Sequence, residues 1–318
     1  MPNIEPLLQP ISADHPSGED MSFSAEFDTI KQARVSDDPK LEQGDWETDL
    51  KEADWSLVSK TAEKLLTEKT KDLRVIGWLI EGWTKTQGFA GLAAGMDVLS
   101  GICKNFWETL YPRVDGEEEE GTELRAGNVA WIVDNLIELA KAVPLTRVEG
   151  GMYGYLFWEA AMKLANDIKR SPNDAVTLSK NRLTLEEFNV ARTNTPPAFY
   201  KDLYQHVLLV EESTQNLVAV LNETMGNAAP SLTPFKQLSK NILDLVRRFA
   251  REAGVLIEDE PAEETSGDTE NASHEKPASI GGAIASRKQA LDQLRAIAAY
   301  FRETEPHSPV AYLAEKAA

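Results

Sequence analysis

The residues able to do chemistry are few and far apart. Four histidines, His15, His206, His274 and His307, are spread over 318 residues. None forms a His-Glu-x-x-His pair or stands at Cys/His ligand spacing, the arrangements that aim two donors at one zinc ion. Cys103 is the single cysteine, so no intrachain disulfide can form, and no Cys/His pair offers a nucleophile. Asp37, Asp38 and Glu42 gather carboxylates, but the stretch lacks the alternating oxygen ligands and the glycine of a calcium loop. Gly88, Gly91 and Gly95 resemble a phosphate cradle only superficially. No strand precedes them and no Gly-Lys-Ser/Thr follows, so close helix packing explains them better. His307, beside Glu305 and between prolines, reads as a turn residue satisfying backbone groups, with a pH-sensitive or ligand role as the alternative. Lys71-Asp72 reads as a helix start, where the dipole favours the Asp72 carboxylate. The alternative there is an exposed partner contact. Paired carboxylates on facing helices, as in di-iron bundles, need a Glu-x-x-His motif that the chain lacks. The expectation is a protein with no catalytic residues, no cofactor and no metal. A metal-dependent helical-bundle enzyme is the lesser alternative.

Helices must position these residues. Lys71 to Pro112 organises the chain. Phe89, Leu92, Met96, Leu99, Cys103, Phe106 and Leu110 recur at alternating steps of three and four, which places them on one stripe of one helix. Leu73, Ile76, Ile80 and Trp83 do the same just before, with Val75, Trp78 and Leu79 widening the face. A helix apolar over so much of its girth has to be covered by other helices. The spacing predicts a buried helical hairpin turning near Thr86-Gln87-Gly88, with Gly88, Gly91 and Gly95 allowing close backbone approach.

Other segments follow the same logic. A short helix is predicted with Phe23, Phe27 and Ile30 inward, then a helix capped by Asp54 carrying Trp55, Val58, Ala62 and Leu65. Val114 to Thr122, with Glu117-Glu118-Glu119-Glu120, reads as a solvated acidic loop. Helices are expected over about 123–142, with Val129, Ile132, Leu136 and Leu139 inward, and over about 155–168, with Leu156, Ala160 and Leu164 on one side. A polar, irregular patch then runs to Pro196-Pro197, with a short helix around 185–191. Leu203, Val207, Val210, Thr214, Leu217 and Leu221, then Phe235, Leu238, Ile242, Leu245 and Phe249, form two periodic stripes around a stop at Gly226. They predict an antiparallel hairpin with coiled-coil-style packing. No strand-period segment of any length occurs, so the fold class is all-α.

Net charge is −19, from 52 acidic and 33 basic residues. That balance disfavours a nucleic-acid role, because phosphate binding needs a basic surface, and disfavours an anionic membrane, so no nucleic-acid partner is expected. No secretion signal or membrane span is evident, so the expected location is cytoplasmic, without membrane insertion. Composition turns acidic and polar near Glu258. The expected organisation is a helical domain over 1–252 (core about 7–143, middle hairpin about 197–252), a disordered acidic linker over 253–283, and a C-terminal helical module over 284–318. That module is too small to fold alone.

These residues resemble a known family. Leu7-Leu8-x-Pro10, Pro16-x-Gly18-Glu19-Asp20, Asp37-Asp38-Pro39, Trp55, Lys71-Asp72-Leu73-Arg74, Gly88-Phe89-x-Gly91-Leu92 and Phe106-Trp107-x-x-Leu110-x-Pro112 are similar to the ImpA N-terminal domain of TssA-like type VI secretion proteins. Leu291, Leu294, Ile297, Phe301 and Glu305-Pro306-His307-Ser308-Pro309 with Tyr312 resemble the family's C-terminal oligomerisation module. Similar modules run on through a Trp-Gly-containing segment to a final helix, so the module is expected to be truncated here. The resemblance implies a non-enzymatic assembly factor. Such a factor would form homo-oligomers through the C-terminal module, associate with the baseplate and membrane complex, and help to prime or cap polymerisation of the contractile sheath and inner tube. A generic helical adaptor is the alternative.

Overall fold

The computed structural model describes residues 2–37, 51–113 and 118–257. They fall in one unit, Met1–Glu260. Asp38, Glu42, Glu117, the linker from 258 onward and every residue assigned to the C-terminal module lie outside the described residues.

The chain is all-α, and among the described residues only isolated bridges represent β-structure. A 3-10 turn, Glu5–Leu8, leads to α1 (Ala25–Ala33), α2 (Trp55–Glu68) and a long helical run, α3 (Leu73–Phe106). Then come α4 (Glu118–Ala142), α5 (Tyr155–Arg170), the short α6 (Ala175–Ser179), α7 (Leu185–Asn194), α8 (Pro197–Met225) and α9 (Thr233–Glu252).

The run α3 is two helices folded on each other. Gly88 breaks it with φ 61° and ψ −139°, a conformation essentially restricted to glycine. The arms, 73–87 and 89–106, then pack face to face. A Cβ at Gly91 would stand 2.1 Å from the Trp83 carbonyl oxygen, and one at Gly95 would stand 3.1 Å from Ile80 Cα. Residues so far apart along one straight helix could not meet, since each residue advances about 1.5 Å. This is the predicted hairpin, and all eleven stripe residues from Leu73 to Leu110 are buried. The arms are covered by α2, α4 and α8, as an all-round apolar helix requires. Trp83 is 1% exposed, and its indole N–H donates to Glu63 Oε1 at 2.6 Å.

The α8–α9 pair is antiparallel. Tyr200, near the start of α8, meets Phe249, near the end of α9, at 6.0 Å between ring centroids. Gly226, at φ 55°, ends α8. Both predicted stripes are buried in full.

Several local expectations fail. Phe23 is fully exposed while Phe27 and Ile30 are buried. Ser24 is the reason: its hydroxyl accepts from Phe27 N at 3.3 Å, so the helix begins after it and Phe23 lies outside the periodic stripe. The acidic run is not all loop, because α4 begins at Glu118, and the helix dipole favours the carboxylates of Glu119 and Glu120 in its first turn. In α5, Leu156 and Ala160 are exposed and the buried face is Tyr155, Ala161 and Leu164. The helix is rotated so that the half-buried Trp158 ring can pack on Tyr155, 5.2 Å away. The polar patch before Pro196 holds α6 and a longer α7. The latter is fixed by a capping box in which Thr184 and Glu187 satisfy each other's backbone N–H.

Candidate functional site

The motif residues gather in two places, at opposite ends of the first arm of α3. The arm is roughly 22 Å long at about 1.5 Å per residue.

At its start, three segments distant in sequence are laced together by backbone hydrogen bonds. Lys71 N donates to Ser17 O at 2.8 Å, Tyr111 N to Lys71 O at 2.9 Å, Leu73 N to Tyr111 O at 3.0 Å, and Glu19 N to Lys69 O at 3.0 Å. The hydroxyls of Ser17 and Thr109 lie 2.7 Å apart. Gly18 is needed for the close approach, since a Cβ there would stand 2.0 Å from Lys69 O.

Lys71 is the centre of this knot and is fully buried. Its Nζ donates to Leu7 O at 2.7 Å and to the Leu66 carbonyl, and it sits 5.6 Å over the Phe106 ring. One ammonium thus ties the N-terminal turn to an orphan carbonyl in the last turn of α2. Burial pushes its pKa down to about 8, because desolvation disfavours the charged form. Asp72, also fully buried, caps α3 by accepting from Arg74 N at 2.8 Å. It pairs with the Arg74 guanidinium through Nε at 3.0 Å and Nη2 at 2.5 Å. The Asp72 hydrogen bond, opposed by burial, raises the Arg74 pKa. Arg74 also donates to Ser22 Oγ at 2.8 Å and stacks 5.2 Å over Phe27. Asp20 lies 3.4 Å from the same guanidinium. Burial works to raise the Asp20 pKa, yet its bonds to Ser22 and Arg74 outweigh that and hold it low. The exposed-contact alternative for Lys71-Asp72 is therefore incorrect: both side chains are spent on the fold.

At the other end, the Gly88 elbow floors a cleft of about 320 Å³. Its walls are Thr84 to Phe89, the α4–α5 loop around Val143 to Met152, and the first turns of α8 from Phe199 to His206. Phe89, Gly91 and Leu92 are buried behind the elbow. Lys85, Arg147 and His206 line the cleft with one carboxylate, Asp202.

The remaining motif residues lie at the edges of these two places or apart from them. Pro10 is exposed, and Pro16 and Pro112 are half-buried. Asp37 pairs with Lys51, whose backbone N–H donates to its carboxylate at 2.8 Å. Trp55 lies under Lys85, 5.8 Å from Nζ, and Trp107 under Arg125 at 5.6 Å. Cys103 is buried, and desolvation pushes its thiol up to about 12, so it carries no thiolate at neutral pH. Among the described residues, no three His, Cys, Asp or Glu side chains are grouped to hold a metal ion. No described helix is long and apolar enough to cross a membrane. Sequence reasoning missed Ser17, Ser22, Thr109 and Tyr111 in the knot, and Lys85, Arg147, Phe199 and Asp202 in the cleft. They come from segments up to 93 positions apart, as in the Tyr111 hydroxyl's bond to Gly18 O, and no local pattern signals such pairings.

Known proteins share this architecture. The family model described as ImpA, N-terminal, type VI secretion system matches residues 8–134. A solved structure, the N-terminal domain with the ImpA_N region of the TssA component from Burkholderia cenocepacia, aligns at 35% identity with a TM-score of 0.69. The alignment covers 80% of this chain and 97% of that one. The chain belongs to the TssA family of type VI secretion components. It is also 26% identical over 328 residues to type VI secretion system component TssA1 of Pseudomonas aeruginosa, spanning 100% of this chain and 91% of that protein. The ImpA N-terminal match contains both arms of α3 and the knot apart from Leu7, which lies one residue before it. Arg147, Phe199 and His206 of the cleft lie beyond it.

Proposed function

We propose that this TssA-family chain is a non-enzymatic assembly component of the type VI secretion apparatus. It associates with the baseplate and membrane complex in the cytoplasm and helps to prime or cap polymerisation of the contractile sheath and inner tube. Its helical domain, 1–252, acts as an arm. The acidic stretch 253–283 tethers that arm to a self-associating module, 284–318, and several arms on one hub raise the effective concentration of each weak contact.

The observation that supports this reading is the use the fold makes of the family's residues. Lys71 and Asp72, the most reactive-looking pair in the motifs, are fully buried and bonded to backbone and to Arg74. Neither of these two side chains is left to face a substrate. A protein whose characteristic residues hold its shape works through its surface.

Light scattering on the full chain tests the hub. A multimer that becomes monomeric in Leu294→Glu and Phe301→Glu is expected, and a monomeric parent chain refutes it. Binding of the full chain to purified baseplate, sheath and tube proteins, measured by interferometry, tests the partners. No binding to any of them refutes the assembly role.

A further inference from the structure

We infer that the cleft at the Gly88 elbow is a docking site for an extended segment of a partner protein, one that presents a carboxylate beside an apolar side chain. The inference stands on the cleft itself and deepens the assembly reading by naming the contact, though its test does not require any secretion protein.

Charge is the first argument. The chain carries a net −19, yet this concave surface collects Lys85, Arg147 and His206 against the single carboxylate of Asp202. Among the described residues, neither Lys85 nor Arg147 is in an ion pair. Each rests on an aromatic face instead, Lys85 at 5.8 Å over Trp55 and Arg147 at 5.8 Å over Phe199. A guanidinium held beside a ring and in no ion pair keeps N–H donors available to a carboxylate, which it can receive in two parallel bonds. With no carboxylate among the described residues paired to either, both cations are open to an anion from outside, and the cleft brings the two together.

Apolar lining is the second argument. Phe199 is half-buried in the cleft and Met152 is 61% exposed at its edge. A pliable thioether beside an aromatic face accepts aliphatic side chains of varied shape. A free phosphate or nucleotide phosphate would gain nothing from it.

The third argument is that the walls are fixed before any partner arrives. The loop carrying Arg147 is pinned by Arg147 N donating to Thr195 Oγ1 at 2.9 Å, Leu145 N to Tyr153 O at 2.8 Å, and Thr146 Oγ1 to Gly151 O at 2.6 Å. The elbow opposite packs close to the same loop, since a Cβ at Gly88 would lie 3.3 Å from Val143. Little ordering entropy is left to be lost on binding.

The test is fluorescence anisotropy on the full chain, with short fluorescein-labelled peptides alternating Glu with Leu, or Lys with Leu. The Glu-Leu peptide should saturate, weaken as salt screens the charges, and bind about tenfold or more weakly to Arg147→Glu and to Lys85→Glu. Lys163→Glu, on the exposed side of α5, should bind like the parent. Circular dichroism on each variant separates lost binding from lost structure, and the two cleft variants are independent. Equal binding of the Glu-Leu and Lys-Leu peptides overturns the inference. So does unchanged affinity in both cleft variants, or displacement of the Glu-Leu peptide by micromolar ATP, which would assign the cleft to a phosphate ligand.

Discussion

The two ends of the first arm of α3 treat their cations in opposite ways. At the start of the arm, Lys71 and Arg74 are consumed internally. The ammonium is fully buried on two carbonyls and the guanidinium is chelated by Asp72. At the elbow, Lys85 and Arg147 are exposed and lie on aromatic faces. The contrast shows that the surroundings at each end of the arm, not the residue type, decide whether a basic side chain is structure or surface. Buried charge has to be matched by protein groups because water is gone, whereas exposed charge is free for a partner. Substitutions at the first end should therefore register in stability, and those at the second in binding.

The largest effect is expected where the two arms touch. Gly91→Ala places a methyl 2.1 Å from the Trp83 carbonyl oxygen, a backbone atom that no rotamer change can move. Overpacking commonly costs about 1–3 kcal/mol, and this contact lies at the upper end or beyond it. Urea unfolding should show a loss of about 3 kcal/mol or a failure to fold. A loss below about 1 kcal/mol would mean that the arms can separate freely.

Next is the pH dependence attached to Lys71. Its pKa is about 8 in the folded chain against the ordinary 10.5. Below pH 8 the lysine is protonated in both states and adds no slope. Between 8 and 10.5 the unfolded chain binds the extra proton and the folded chain does not, so stability rises with pH. Above 10.5 the slope vanishes again. The shift corresponds to a rise on the order of 3 kcal/mol. The comparison to make is parent against Lys71→Met, by urea unfolding at pH 7.5 and pH 10. The difference in stability between the two proteins should change by about that amount between the two pH values, and a constant difference would show that Lys71 is not desolvated.

A smaller loss, about 2 kcal/mol, is expected for Asp72→Ala. It removes a helix cap, typically worth about 1 kcal/mol, and leaves the half-buried Arg74 with only Asp20 and Ser22. Asp72→Asn should recover part of the loss, because its amide oxygen still caps. Thermal unfolding of the two variants side by side distinguishes the cap from the ion pair.

These sites also show what a linear pattern reveals. The stripes of α3, α8 and α9 were legible because a helix buried on one face repeats its apolar residues every three or four positions, and Gly88 fell where two such stripes change phase. Phe23 was misplaced because its spacing to Phe27 ignored Ser24, which starts the helix one residue later. The face of α5 was misjudged because Trp158 and Tyr155 set its rotation through a ring contact. The knot was visible only as a list of motifs. Ser17 meets Thr109 across 92 positions, and nothing local encodes that pairing. The Lys71 carbonyl contacts were equally hidden, so the sequence left a buried lysine and an exposed one looking alike. The elbow cleft depends on three segments, each unremarkable alone.

The sharpest form of the comparison is a variant expected to do almost nothing to the fold. Lys85→Ala and Arg147→Ala remove cations that form no ion pair among the described residues, and both side chains are exposed. Surface changes of this kind usually stay within about 0.5 kcal/mol. Some loss of ring packing is expected in both, since Lys85 lies 5.8 Å over Trp55 and Arg147 5.8 Å over Phe199, and exposed cation–π contacts contribute about 0.5–1 kcal/mol. Denaturant midpoints for the two variants should therefore both sit close to the parent. If either costs as much as Asp72→Ala, the elbow is a second structural knot, its cations serve the fold, and the division between the two ends of the arm disappears.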